Sequence, residues 1–111
     1  MSVEVTARHM EAPQVMQNYA REKGDFLLGE FPRLEHVHII LDVEKHRQIA
    51  SIFVQAKNRI RAESREASDN MQASIDGAFD KIERQLRRLR DKVQDHSAAM
   101  KHGEQDRNRA L

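Results

Sequence analysis

The chain has 111 residues, enough for one domain, a net charge of only +1, and no cysteine. These figures exclude a disulfide scaffold, thiol catalysis and cysteine-bound zinc, and no stretch approaches the roughly 18 apolar residues that span a bilayer. Met1-Ser2-Val3-Glu4-Val5 lacks the charged-then-apolar pattern of a signal peptide, so a small soluble domain of the cytoplasm is expected, with no membrane partner. Leu, Ile, Val and Phe lie almost entirely within residues 1–94, and only Leu111 falls beyond. A modest core over 1–94 and a disordered polar tail over 95–111 are therefore expected.

Val3, Val5 and Ala7 alternate with Glu4, Thr6 and Arg8, the period of a half-buried strand. Ala12-Pro13 opens a helical stretch, with proline suited to a first turn. Met16, Tyr19, Ala20, Lys23 and Leu27 then repeat at spacings of three and four, and Phe31-Pro32 closes the stretch. Gly24 weakens it, by about 1 kcal/mol relative to alanine. Val37, Ile39, Leu41 and Val43 form the clearest strand; Ala50, Ile52, Val54 and Ala56 give a second, and Ile60, Ala62 and Ser64 a third. Lys45–Gln48 and Lys57-Asn58 are short enough for hairpin turns. From Asn70, a helix-capping residue type, the period becomes 3.6. Met71, Ile75, Ala78, Phe79, Ile82, Leu86, Leu89 and Val93 share one helical direction. The order β-α-β-β-β-α predicts an α+β domain, a four-stranded sheet with both helices on one face.

The net charge conceals segregation. Lys81, Arg84, Arg87, Arg88, Arg90 and Lys92 oppose only Glu83 and Asp91, giving +4 over twelve residues against −3 elsewhere. Lys81, Arg84, Arg88 and Lys92 step by three and four along the side opposite the apolar stripe. At 1.5 Å per residue this line is about 16 Å long, matched to several successive phosphates. The plainer alternative is a solvated face laced by Glu83–Arg87 and Asp80–Arg84 pairs. Arg59, Arg61 and Arg65, with Arg8, form a secondary basic group on the sheet face away from the helices, where Phe53 and Ile40 are either stacking platforms or singly exposed apolar residues. His36 and His38 are spaced to chelate, but no third ligand is fixed, so no metal site and no cofactor are expected. Isolated glycines (24, 29, 77, 103) make no phosphate loop, no serine has a nucleophile-elbow context, and Asp76/Asp80 sit among cations. No enzymatic activity is expected.

Leu41-Asp42-Val43-Glu44-Lys45, the strands after it, and especially Asn70-Met71-Gln72-Ala73-Ser74-Ile75-Asp76-Gly77-Ala78-Phe79-Asp80-Lys81-Ile82-Glu83-Arg84-Gln85-Leu86 resemble the bacterial ribosome hibernation factors, the sigma-54 modulation protein family. The resemblance runs from about Val3 to Val93. It implies a fold similar to double-stranded RNA-binding domains and binding to the 30S subunit and 70S ribosome. The site implied is 16S rRNA in the channel of messenger RNA and the A- and P-site transfer RNAs. Translation would be blocked in stationary phase or stress, with an effect on 100S dimers in some members. Its basic positions fall on Lys81, Arg84, Arg88, Arg90 and Lys92, joined by Lys23 and Lys45. No DNA partner is implied, and a monomer is expected off the ribosome.

Three departures bear on this resemblance. The family's usual Asp-Met-Tyr reads Asn70-Met71-Gln72, which removes the tyrosine and keeps a cap. Gly24 stands where a bulky residue is expected, suggesting a soft spot in the core. The chain ends at residue 111, as a short form without a C-terminal dimerisation domain would, and its nearly neutral tail leaves the short-form subgroup open. The alternative function, given the older label, is a transcription (sigma-54) modulator working through a protein partner.

Overall fold

A computed structural model describes residues 2–99, with side chains described for 2–57 and 59–90. Six main elements follow in order: β1 (Ser2–Arg8), α1 (Gln14–Glu30), β2 (Leu34–Glu44), β3 (Arg47–Ala56), β4 (Arg61–Ser68) and α2 (Met71–Ala99). The sheet order is β1-β2-β3-β4. β2, β3 and β4 form an antiparallel meander. β1 pairs parallel to β2, which requires a crossover, and α1 supplies it. The expected α+β architecture is the one observed.

Alternation decides which face is buried. Val37, Ile39 and Leu41 of β2 and Ala50, Ile52 and Val54 of β3 are buried under Ala20 and Leu27 of α1 and Ile75, Ala78, Phe79, Ile82 and Leu86 of α2. Each fully buried Leu or Ile contributes roughly 1.5–3 kcal/mol relative to exposure. The pairing of β2 with β3 shifts between Leu34 and His36. That bulge lets Leu34 join the core while His36 and His38 point to the opposite face, although all three are even-numbered. Two buried serines are satisfied: Ser64 Oγ donates to the Ala78 carbonyl (2.7 Å) and Ser74 Oγ to the Gln48 carbonyl (2.6 Å).

Local signals act mostly as read. Pro13 sits at the N-cap of α1, one position before the first helical residue, and Phe31 ends the helix. Asn70 Oδ1 accepts from the Ala73 amide (3.0 Å), capping α2. The β2–β3 turn is the two residues Lys45-His46, with Lys45 in the left-handed region (φ 61°). The β3–β4 connection is a 3₁₀ turn, Lys57–Arg59, whose last residue is also left-handed (φ 64°).

One expectation is revised. Gly24 is buried, and α1 passes through it unbroken. A β-carbon there would come within 2.7 Å of Val3 Cγ1 and 3.4 Å of Ile39 Cδ1. The absent side chain is what lets α1 approach β1, so the position is tightly packed rather than soft. The helix backbone of α2 runs to Ala99. Val93 and Lys92 lie outside the described side chains, and residues 100–111 lie outside the described residues.

Candidate nucleic-acid interface

The interface begins with how α2 is seated. Capped at Asn70 and buried along Met71, Ile75, Phe79, Ile82 and Leu86, the helix must turn Lys81, Arg84 and Arg88 outward, and all three are exposed. Lys81 Nζ lies 2.6 Å from Glu66 Oε1 and donates to the Arg65 carbonyl at 2.9 Å. One turn later Gln85 Nε2 donates to the Glu63 carbonyl at 2.9 Å. β4 is an edge strand, so α2 satisfies two of its free carbonyls and blunts an edge open to intermolecular pairing.

That seating places the α2 cations beside β4. On the open sheet face of β4, Arg61 and Arg65 are exposed, with Glu63 between them. The two groups separated in the sequence, Arg84/Arg88 and Arg61/Arg65, thus flank one strand edge and form a band around it, interrupted by Glu63 and Glu66. The Arg84 and Arg88 side chains make no hydrogen bond or ion pair with a described residue. Of the two helix-surface pairs expected, Glu83–Arg87 forms (3.4 Å); Asp80–Arg84 is not among the ion pairs of the described residues.

The remaining basic candidates are dispersed. Arg87 is tied to Glu30 of α1 and Glu83 of α2, each at 3.4 Å. Arg90 stacks over the Phe31 ring, 5.2 Å from its centroid. Lys23 lies between the helices, 5.8 Å from the centroids of both Tyr19 and Phe79 and 3.5 Å from Asp76 Oδ1. Tyr19 donates its hydroxyl to the same Asp76 oxygen, and that bond holds the phenol above its ordinary pKa. Lys23 therefore serves an interhelical cluster as much as any outside anion. Lys45 is exposed on the β2–β3 hairpin and Arg8 at the end of β1, beside Asp42 in register. Both are at the end of the sheet nearer the start of α2, whereas Arg59 is at the other end.

On the open face His36 and His38 are hydrogen-bonded to neighbours on β1, and His9, just after β1, to Asp42 of β2. His36 Nδ1 meets Ser2 Oγ (2.6 Å), His38 Nε2 meets Thr6 Oγ1 (2.9 Å), and His9 Nδ1 meets Asp42 Oδ1 (2.9 Å). The His9 bond, together with the Val43 amide, holds the Asp42 carboxyl below its ordinary value. Among the described residues no three His, Asp or Glu side chains are placed to hold a metal ion, and no helix is long and apolar enough to cross a membrane.

Sequence reasoning missed three members of this surface. Gln85 and Glu66 fix α2 to β4, and Glu30 orders Arg87. Gln85 follows Lys81 by four residues, a spacing that marks a shared helix face; the Glu66 and Glu30 contacts join different elements and carry no local signal.

Chemically, the surface is a row of exposed cations interrupted by carboxylates. Comparison with known proteins gives the same direction. The family described as "Sigma 54 modulation protein / S30EA ribosomal protein" matches residues 3–94. A Klebsiella oxytoca protein named ribosome hibernation promoting factor is 34% identical over 96 residues, covering 86% of this chain and all of that one. The fold is similar to a ribosomal subunit interface protein from Coxiella burnetii (TM-score 0.71, 19% identity, 81% of this chain and 98% of that one). It is also similar to the N-terminal domain of Thermus thermophilus Protein Y (TM-score 0.70, 22% identity, 80% and 99%).

Proposed function

The chain belongs to the sigma 54 modulation protein / S30EA ribosomal protein family, and on that premise we propose that it is a ribosome hibernation factor of the cytoplasm. It binds the small subunit through the outward face of α2 and blocks translation by occupying the channel of messenger RNA and the A- and P-site transfer RNAs. The observation that carries this reading is the exposed line Lys81–Arg84–Arg88, seated beside Arg61 and Arg65 across the β4 edge. Arginine forks suit phosphate oxygens. Contacts of this kind release counterions, and shape, more than base identity, selects a folded RNA channel.

Association is non-covalent and needs no cofactor. α2 is held on the sheet by its apolar stripe and by the Lys81 and Gln85 contacts, so Arg84 and Arg88 are presented from a rigid element. The partners are 16S rRNA within the 30S subunit and the 70S ribosome, approached by a monomer. Sedimentation of purified ribosomes with added protein at two salt concentrations tests this. Co-migration with 30S and 70S particles that weakens with salt supports the reading, and a 100S peak would assign the protein to dimer-promoting members. Co-migration that survives Lys81→Glu, Arg84→Glu and Arg88→Glu together would refute the role of α2.

A further inference from the structure

The open sheet face holds a hollow beside the helix-borne interface, with which it shares Arg61 and Gln85. Its floor is a two-by-three block set by strand register: His36, Gln55 and Arg61 in one row, His38, Phe53 and Glu63 in the next. Phe53 stands in the middle of its row and is 40% exposed, an aromatic ring left bare by a sheet that buries its neighbours Ile52 and Val54. The two imidazoles sit 6.2 Å apart with a 53° tilt. They are held from β1 by Ser2 and Thr6, so their rings are fixed rather than free to turn away. Gln85, reaching from α2 to the Glu63 carbonyl, borders the hollow on the β4 side.

We propose that this hollow binds an unpaired nucleotide of a single-stranded RNA segment, with the base stacked on Phe53 and the phosphate drawn toward Arg61. The inference rests on the ribosome-binding reading above and adds a second, base-contacting surface to it. A bare aromatic ring flanked by planar imidazoles is a stacking platform for any base, since every base has a π face. Glu63 and the Gln55 amide border Phe53 and Arg61 and offer acceptors and donors to a base edge. The negative charges here, Glu63 and Glu4 (3.7 Å from His36 Nε2), disfavour a phosphate over the ring. They leave Arg61, with Arg65 further along β4, as the cationic side. A protein strand is a poorer occupant, because the β4 edge it would extend is already engaged by Lys81 and Gln85.

The chain contains no tryptophan, so Phe53→Trp makes a single reporter at the proposed stacking point. Titration with an eight-nucleotide single-stranded RNA is expected to quench its fluorescence. Phe53→Ala, at an exposed position and with an unchanged circular dichroism spectrum, is expected to weaken binding of the labelled oligonucleotide about 5- to 150-fold, the range of one base–aromatic stack. The salt dependence should stay unchanged, because no charge is removed, and Phe53→Tyr should restore affinity. Quenching by adenosine or cytidine monophosphate as strong as by the oligonucleotide would mean a free-nucleotide site and overturn the RNA assignment. Equal oligonucleotide affinity for Phe53→Ala and wild type, no oligonucleotide binding by wild type, or a Phe53-dependent complex with a protein instead would each overturn the proposal. Ribosome co-sedimentation of the same proteins separates the two failures. Wild type that sediments with ribosomes while the oligonucleotide results fail removes only the hollow; wild type that does not sediment removes the hibernation reading.

Discussion

Val3 Cγ1 lies 2.7 Å from where a β-carbon on Gly24 would stand. Valine has one strongly restricted side-chain torsion, so Val3, whose Cγ2 also lies at 3.3 Å, cannot swing aside cheaply, while Ile39 Cδ1 at 3.4 Å is in ordinary contact. Gly24→Ala gains about 1 kcal/mol in helix propensity and loses about 1–3 kcal/mol to overpacking; net destabilisation of roughly 1 kcal/mol is expected. Gly29, in the same helix, meets nothing within 4 Å and is exposed. Gly29→Ala is therefore expected to stabilise by about 0.5–1 kcal/mol. Urea unfolding of both variants checks this: the midpoints must move in opposite directions at constant slope. Equal shifts would show that Gly24 is not a close-approach position.

The same glycine shows where sequence reasoning reaches and where it stops. β2 and α2 were legible because their apolar residues keep a period of two and of 3.6 over many positions, and one buried face enforces each period. The line Lys81, Arg84, Arg88 was legible for the same reason, being fixed by the stripe opposite. Gly24 was misread because local propensity registers the missing side chain and not the strand that needs the space. The bulge before His36 is likewise a property of pairing with β3. The ties of Lys81 to Glu66 and of Arg87 to Glu30 join groups 15 and 57 residues apart, which no periodicity encodes.

Charge placement predicts a hierarchy within α2. Lys81 already has a carboxylate at 2.6 Å and a carbonyl at 2.9 Å, whereas Arg84 and Arg88 are exposed. A phosphate must compete with Glu66 for Lys81 and competes with no described carboxylate for the arginines. Arg84→Ala and Arg88→Ala are each expected to reduce the log–log salt slope of ribosome binding by about one. Lys81→Ala should change it less. Filter binding or pelleting at four salt concentrations reads the slopes; a larger change for Lys81 than for both arginines would reverse the hierarchy.

The start of α2 should also be sensitive. Asn70 Oδ1 accepts the Ala73 amide (3.0 Å), while Ser68 Oγ accepts the Asn70 amide (3.2 Å) and lies 2.7 Å from Ser74 Oγ. Asn70→Ala leaves the Ala73 amide without that acceptor and is expected to cost about 1 kcal/mol, whereas Asn70→Asp should be nearly neutral or slightly stabilising. Thermal and urea unfolding compare the two. An Asn70→Ala protein as stable as wild type would show that water replaces the cap at no cost.

The Glu30–Glu83–Arg87 cluster gives the pH dependence. Arg87 Nη2 lies 3.4 Å from both Glu30 Oε2 and Glu83 Oε2, and Glu30 Oε1 is buried without a hydrogen-bond partner. A hydrogen bond from the protonated Glu83 carboxyl is the main reason the Glu30 carboxyl is held below its ordinary value, with Arg87 assisting. The same bond, with burial and the Glu30 charge, raises Glu83. For Glu30 the contribution to stability is present above the ordinary glutamate value and is lost as pH falls through its lowered pKa. For Glu83 it is present below the ordinary value and is lost as pH rises through its raised pKa. The cluster is therefore most stabilising with one shared proton, in a window around the ordinary glutamate pKa, and weaker on both sides. Glu83→Gln supplies a permanent amide donor to Glu30. Its stability relative to wild type is expected to rise as pH increases through the raised Glu83 pKa and then level off. Urea midpoints of both proteins measured from pH 4 to pH 8 test this; parallel curves across that range would show that the two carboxyls titrate independently.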